Sequence, residues 1–277
     1  MRRPRGFIER TLTGTLAFFR QALYDDETAS RPGLLQALDP RAKAATLLAF
    51  LLYALMTRSL AMLGVLYVFA LALAAASRIS PRTFLVRTWV FIPLFSLFLA
   101  VPALFSAVSP GRAVASVGGL TVTEQGLRAA AFFLGRVTVS VSLTVLLSMT
   151  TRHFELLKAL RAFGVPQVFV MVLGISTRYI YLFVGVVEDT YRAIRSRVGF
   201  AVSPQRGQRL VAGNMAHLWM RSHQMNEQVY QAMLARGFRG EPVALQRFRM
   251  GARDGWWMGA CAALLLGLIG AEWMMGV

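Results

Sequence analysis

The segment PQVFVMVLGISTRYIYLFVGVV, residues 166–187, decides whether this chain crosses a membrane once more or lays a helix along its surface. Its two apolar runs, Val168 to Ile175 and Tyr179 to Val187, are hydrophobic enough for a span, yet Arg178 stands between them. Eleven arginines follow from Arg192 to Arg253. Were residues 166–187 to cross, those arginines would lie outside the cell, against the bias of Lys and Arg toward the cytoplasmic face. The segment is therefore read as a helix along the cytoplasmic surface, its apolar side in the bilayer or under a partner.

The charge count supports that topology. The chain has 277 residues, 56% of them hydrophobic, with a mean hydropathy of +0.53 and a formal charge of +17. An ordinary soluble domain is much less apolar, and the arginines cluster between the hydrophobic runs rather than within them. With the N-terminus inside, Arg58 faces out, the Arg78 loop in, the Arg112 loop out and the Arg152 segment in. The expected location is thus a cytoplasmic membrane, crossed several times, with the N-terminus on the cytoplasmic side. The basic start, Met1 to Gly6, has no apolar core and cleavage site after it and is read as retained. The single cysteine, Cys261, excludes an intrachain disulfide framework.

Before the deciding segment, apolar residues at spacings of three to four from Phe7 to Leu23 predict an amphipathic surface helix. Ala44 to Ala76 is apolar almost throughout, and as one helix it would reach roughly 50 Å, too long for a hydrocarbon core of about 30 Å. Thr57-Arg58-Ser59 divides it into two short spans. A third span is expected from about Thr88 to Ser106, kinked by Pro93 and Pro102, then a Pro/Gly/Ser/Thr loop from Ser109 to Gly126. The fourth span, about Leu127 to Met149, carries Arg136 on one face with Ser140 and Thr144. Two readings of Arg136 stay open: a functional intramembrane cation, or a structural one bonded to backbone or hydroxyl partners. A basic turn with Arg152, Lys158 and Arg161 follows. The last span runs from about Gly255 to Trp273, with Trp256, Trp257 and Trp273 as interfacial belts.

Between these spans lies the polar run from Glu188 to Glu241. The helix through residues 166–187 is expected to continue to Val198-Gly199 and to stop before Pro204. A second helix begins near Gln205. Its stripe of Val211, Met215, Leu218, Ser222, Met225, Val229, Ala232 and Arg236 has heptad-like spacing suited to packing along another helix. Gly237 is its natural C-terminal cap, and a cation at Arg236 suits the helix dipole. Each of the two helices ends on an arginine beside small residues or glycine, Ser196-Arg197-Val198 and Ala235-Arg236-Gly237. Planar, permanently charged forks at two helix ends suit two equivalent grooves on a dimeric partner. An isolated Ala-Arg-Gly triplet, however, reads equally as an ordinary helix end.

No catalytic group is apparent. The lysines, Lys43 and Lys158, follow alanine and leucine, so the chain supplies no Gly-Lys-Ser/Thr phosphate cradle. His153, His217 and His223 share no ligand spacing and predict no metal site. Paired intramembrane acids are absent, and Asp25-Asp26 reads as a solvated turn. A membrane-anchored basic module for anionic lipid or nucleic acid is the alternative to a coupling role. Few aromatics interleave the arginines for base stacking, which argues against nucleic acid.

Several stretches resemble a known family: Glu9-Arg10-Thr11-Leu12, Arg31-Pro32-Gly33-Leu34-Leu35-Gln36, Leu38-Asp39-Pro40-Arg41, Leu160 through Pro166, Thr177-Arg178-Tyr179 and, most specifically, Tyr230 through Phe238. The chain resembles the transmembrane T component of energy-coupling factor (ECF) transporters, within the cobalt/nickel subgroup called CbiQ. The resemblance implies that two Ala-Arg-Gly-like motifs at the ends of coupling helices bind two ATP-binding-cassette ATPases. Arg236 matches the second motif fully. Ser196-Arg197-Val198 carries the first, with Val198 where the family has glycine, and Arg195 is the alternative arginine. A separate substrate-capture subunit, the S component, is also implied, as is ATP with magnesium in the ATPases and no cofactor on this chain.

The expectation is an all-α polytopic membrane protein of about five transmembrane helices with a cytoplasmic coupling module. Its divisions are residues 1–42 as surface helix and loop, 43–150 as four spans, 151–254 as coupling helices and 255–277 as the last span. Membrane lipid is an expected partner and nucleic acid is not.

Overall fold

A computed structural model describes residues 29, 33–89, 92–102, 113–117, 120–198, 204–240 and 250–274. The amphipathic helix expected over Phe7 to Leu23 lies outside them. The chain divides into two compact units, one of residues 25–159 and 248–277, the other of residues 1–24 and 160–247.

The first unit is a helical bundle. Its first described helix, α1 (Pro40–Met56), starts where the sequence sets a start: the Asp39 side chain accepts the Arg41 N–H and Pro40 takes the first helical position. It ends at Thr57, and after Arg58-Ser59 the chain returns as α2 (Leu60–Ala76), so the apolar run forms two short helices divided where the sequence predicts. Arg78, with φ of 54°, closes α2 in a left-handed conformation, and its N–H and that of Ile79 bond the Ala75 and Ala74 carbonyls.

The third span differs from expectation. Helix begins earlier, with α3 (Pro81–Trp89), and α4 (Ile92–Ala100) follows, residues 90–91 and 103–106 lying outside the described part. Pro93 falls in the first turn of α4, where its missing N–H costs no helical bond. The loop expected at 109–126 holds a two-stranded antiparallel hairpin, β1 (Ala113–Val117) and β2 (Leu120–Thr123), in which Val117 pairs with Leu120. Thr123 then caps α5 (Glu124–Thr150) by accepting the Gly126 N–H. The basic segment after it is a short helix, α6 (His153–Ala162), rather than a turn. The bundle closes with α9 (Ala252–Met274).

Helix α5 is the centre of the bundle, touching α1, α2, α3 and α4, while α9 packs on α1. The core is built from Phe50, Leu63, Leu66, Phe84, Val139, Leu143, Leu146 and Met149, with Cys261 and Leu268 from α9. Leu48, Leu52, Val68, Phe98, Leu266 and Ile269 face outward and exposed, while Lys43, Thr46, Thr138, Ser142 and Asp254 are buried. A soluble domain avoids so much exposed apolar surface; a bilayer accepts it. Hydroxyls on these helices turn back to their own backbone, as Thr46 does to Ala42, Ser142 to Thr138 and Thr150 to Leu146. Such bonds satisfy a polar group without water.

The second unit contains α7 (Gln167–Val198) and α8 (Pro204–Ala235), each 32 residues long, or about 48 Å of helix. Both helices are present where the sequence predicts them, α7 reaching Val198 and α8 starting at Pro204, while the stop expected between them lies outside the described residues. Among the described residues three helices are long and apolar enough to cross a membrane: α5, α7 as far as Ile194, and α9. Length and composition therefore admit α7 as a crossing helix, and reading it as a surface helix rests on the arginines that follow it. The protein is an all-α polytopic membrane protein with one small hairpin.

Candidate functional site

The two arginine triplets lie in the second unit, at the C-terminal ends of α7 and α8, and the two helices touch. At the end of α8 the Gly237 N–H bonds the Leu234 carbonyl at 2.9 Å and the Phe238 N–H bonds the Met233 carbonyl at 3.0 Å. These are the paired bonds of a Schellman cap, and they require a left-handed residue between the helix and Phe238. Gly237 supplies it with φ of 80°. A Cβ there would meet nothing within 4 Å, so the need for glycine is conformational and not one of space. Arg236 stands at the blunt end of the helix beside carbonyls that carry the negative pole of its dipole. Ala235, Arg236 and Gly237 are all exposed.

The end of α7 is built differently. Ser196 Oγ donates to the Ala193 carbonyl at 2.8 Å, and Ser196 and Arg197 are exposed in the last turn. Val198 is the last described residue of α7; the side chains of Val198 and Arg195 lie outside the described part. One turn earlier, Arg192 pairs with Glu188 and Asp189 along the helix surface. Exposed pairs of this kind contribute little to stability.

The face of α8 that is partly covered is close to the predicted stripe. Val211, Leu218, Ser222, Met225 and Val229 are half-buried as expected, but Asn214 and Met233 take the places predicted for Met215 and Ala232. Met215 is 66% exposed, as are Trp219 at 78% and Met220 at 61%. The contact between α7 and α8 is confined to a short stretch. A heptad-like stripe packed lengthwise on α7 is thus not what forms. The helices leave much of their apolar surface open, including Val168, Phe169, Val172 and Ile180 on α7.

Arg136 belongs to the other unit. It donates from Nη2 to the Thr57 carbonyl at 2.8 Å, a backbone bond that fixes the turn between α1 and α2. The sequence reading missed two acids that hold the ends of α1, one of them at this same turn. Glu272 near the end of α9 accepts from Tyr53 Oη at 3.0 Å, Thr57 Oγ1 at 2.9 Å and the Arg58 N–H at 2.8 Å. At the opposite end of α1, the Asp39 N–H donates to Asp254 Oδ1 and Lys43 Nζ donates to the Thr150 carbonyl. The Leu38-Asp39-Pro40-Arg41 motif could have pointed to the second group, since an N-cap before proline is a readable signal. Among the described residues no group of three or more His, Cys, Asp or Glu side chains could hold a metal ion.

Comparison with known proteins gives this arrangement its context. The model of the CbiQ family, described as cobalt transport protein, matches residues 33–245, well over half of the chain. The uncharacterized protein MJ1571 of Methanocaldococcus jannaschii is 28% identical over 250 residues, covering 89% of this chain and 86% of its own. The energy-coupling factor transporter transmembrane protein EcfT of Streptococcus thermophilus is 27% identical, covering 84% of this chain and 91% of its own. The protein of the same name from Listeria innocua is 26% identical, covering 74% and 81%. The matched region takes in both arginine-bearing helix ends and the bundle helices α1 to α5, and the chain belongs to the CbiQ family of cobalt transport proteins, the family of the ECF-transporter T component.

Proposed function

We propose that this protein is the coupling subunit of an ATP-driven importer of a transition-metal ion, cobalt or nickel. In this reading it catalyses nothing itself. Two ATP-binding-cassette subunits hold ATP and magnesium, a separate capture subunit binds the ion, and this chain links the two. It sits in the cytoplasmic membrane with its N-terminus inside.

The observation that carries the proposal is the end of α8. A Schellman cap stops the helix abruptly at Gly237 and leaves Arg236 exposed at its tip. A rigid helix ending on a planar cation is a good peg for an acidic groove on a partner. Arg197, exposed in the last turn of α7, is the second peg. ATP binding draws the two ATPases together, each carries one helix end with it, and α7 and α8 shift against each other. Their short mutual contact suits such a shift, because few side chains must repack. The open apolar side of α7 then acts on the capture subunit or the bilayer around it.

The test is charge reversal at Arg197 and Arg236, singly and together. The double variant should lose co-purification with the ATPases and lose metal uptake. Full complex and full uptake in that variant would refute the reading.

A further inference from the structure

Three stretches of chain join the units, at residues 24–25, 159–160 and 247–248, and the last two flank the coupling helices: one leaves the bundle and the other returns to it. Inside the bundle the leaving stretch departs from Thr150, the last residue of α5, and the returning stretch ends at Gly251, the residue just before α9. Thr150 is bonded directly to the first turn of α1, and Gly251 is tied to it through Asp254. Lys43 Nζ donates to the Thr150 carbonyl at 2.9 Å. The Asp39 N–H donates to Asp254 Oδ1 at 2.8 Å, and Asp254 Oδ2 accepts the Gly251 N–H at 2.8 Å. The Lys43 N–H bonds the Asp39 carbonyl, so the two anchors lie one helical turn apart.

All four residues, Asp39, Lys43, Thr150 and Asp254, are buried. The carboxylates of Asp39, Asp254 and Glu155 act on the Lys43 charge, Glu155 from the departing helix α6. A buried ammonium is costly, and apolar packing would hold helices together at less expense. Hydrogen bonds add direction: they fix where the chain leaves and where it returns, whereas apolar faces can slide.

We infer that the first turn of α1 is the mechanical anchor of the transporter, with Lys43 and Asp254 as the positioning residues that pass displacement of the coupling helices into the bundle. The inference rests on the coupling-subunit reading. Holding Thr150 and Gly251 to one rigid turn, the anchor delivers a pull on either connection to α1, and through it to α5 and α9. Without it the pull is absorbed locally where the chain leaves and returns.

The test uses the complete complex in proteoliposomes, with Co2+ and Ni2+ offered separately and ATP hydrolysis measured in parallel. Lys43→Met keeps the bulk and removes the donor. Asp254→Ala removes both acceptors, and Asp254→Asn keeps one for the Asp39 N–H. Variant complexes should assemble and hydrolyse ATP, while ion uptake per ATP falls roughly tenfold in Lys43→Met and Asp254→Ala and less in Asp254→Asn, within the range of measured coupling effects. Unchanged uptake per ATP in assembled variants would overturn the inference. So would failure of all three variants to assemble, which would show that the cluster only holds the fold. A wild-type chain that brings down no ATPase is a distinct result and refutes the coupling reading itself.

Discussion

Thr57 is held from two sides: its hydroxyl donates to Glu272 Oε1 at 2.9 Å and its carbonyl accepts from Arg136 at 2.8 Å. The turn between α1 and α2 is thereby tied to both α9 and α5. At the other end of α1, Lys43 reaches Thr150 and Asp39 reaches Asp254. From 43 to 57 on α1 and from 150 to 136 on α5 the steps are equal, so the two helices run antiparallel in register between polar rungs. Apolar packing in lipid is weakly directional; these rungs set the register.

Glu272→Ala should weaken the bundle at that turn. It removes one carboxylate that accepts from Tyr53, Thr57 and the Arg58 N–H, and it leaves the buried Thr57 hydroxyl without this acceptor. The expected loss is about 1–3 kcal/mol, read as a lower apparent melting temperature in detergent. Glu272→Gln, which keeps an acceptor, should lose less. Equal stability of the alanine variant and wild type would contradict this.

Gly33→Ala should be destabilising for a different reason. A Cβ at Gly33 would lie 2.2 Å from Gln36 Oε1 and 2.7 Å from the Ser77 carbonyl. Gln36 can turn away, but only by risking its own bond to that carbonyl, and the Ser77 backbone cannot move cheaply. The cost should be about 1–3 kcal/mol, as for other overpacked sites. A melting temperature unchanged from wild type would show that the loop shifts freely.

The helix caps make a paired prediction. Gly237 and Arg78 both occupy left-handed positions of Schellman caps, with φ of 80° and 54°. Gly237→Ala should cost about 1 kcal/mol at the end of α8, because the strain is in the backbone alone. Hydrogen exchange of the Gly237 and Phe238 amides should quicken. Arg78→Gly should instead be neutral or stabilising by about 0.5 kcal/mol, since glycine takes φ above zero without penalty.

Much of this was legible in the sequence where a local signal exists. Thr57-Arg58-Ser59 divides an apolar run too long for one span, and the structure turns there. Gly237 reads as a cap and is one. What was not legible depends on partners distant in the chain. Glu272 meets Tyr53 and Thr57 across more than two hundred residues, and no periodicity announces such a pairing. The hairpin at 113–123 did have a signal, Gly118-Gly119 between two β-prone runs. A span prediction looks past it because the loop is scanned only for charge. The stripe on α8 was displaced at two of its positions, since spacing defines a face but not which neighbour covers it.

The most direct measurement is the composition of the complex formed by the tagged full-length chain, extracted in mild detergent from its native membrane and weighed intact. The account predicts one copy of this chain with two ATPase subunits and one small membrane subunit, the ATPases lost when Arg197 and Arg236 are both reversed to glutamate. A chain recovered alone, or with the same ATPases still bound after both reversals, would contradict it.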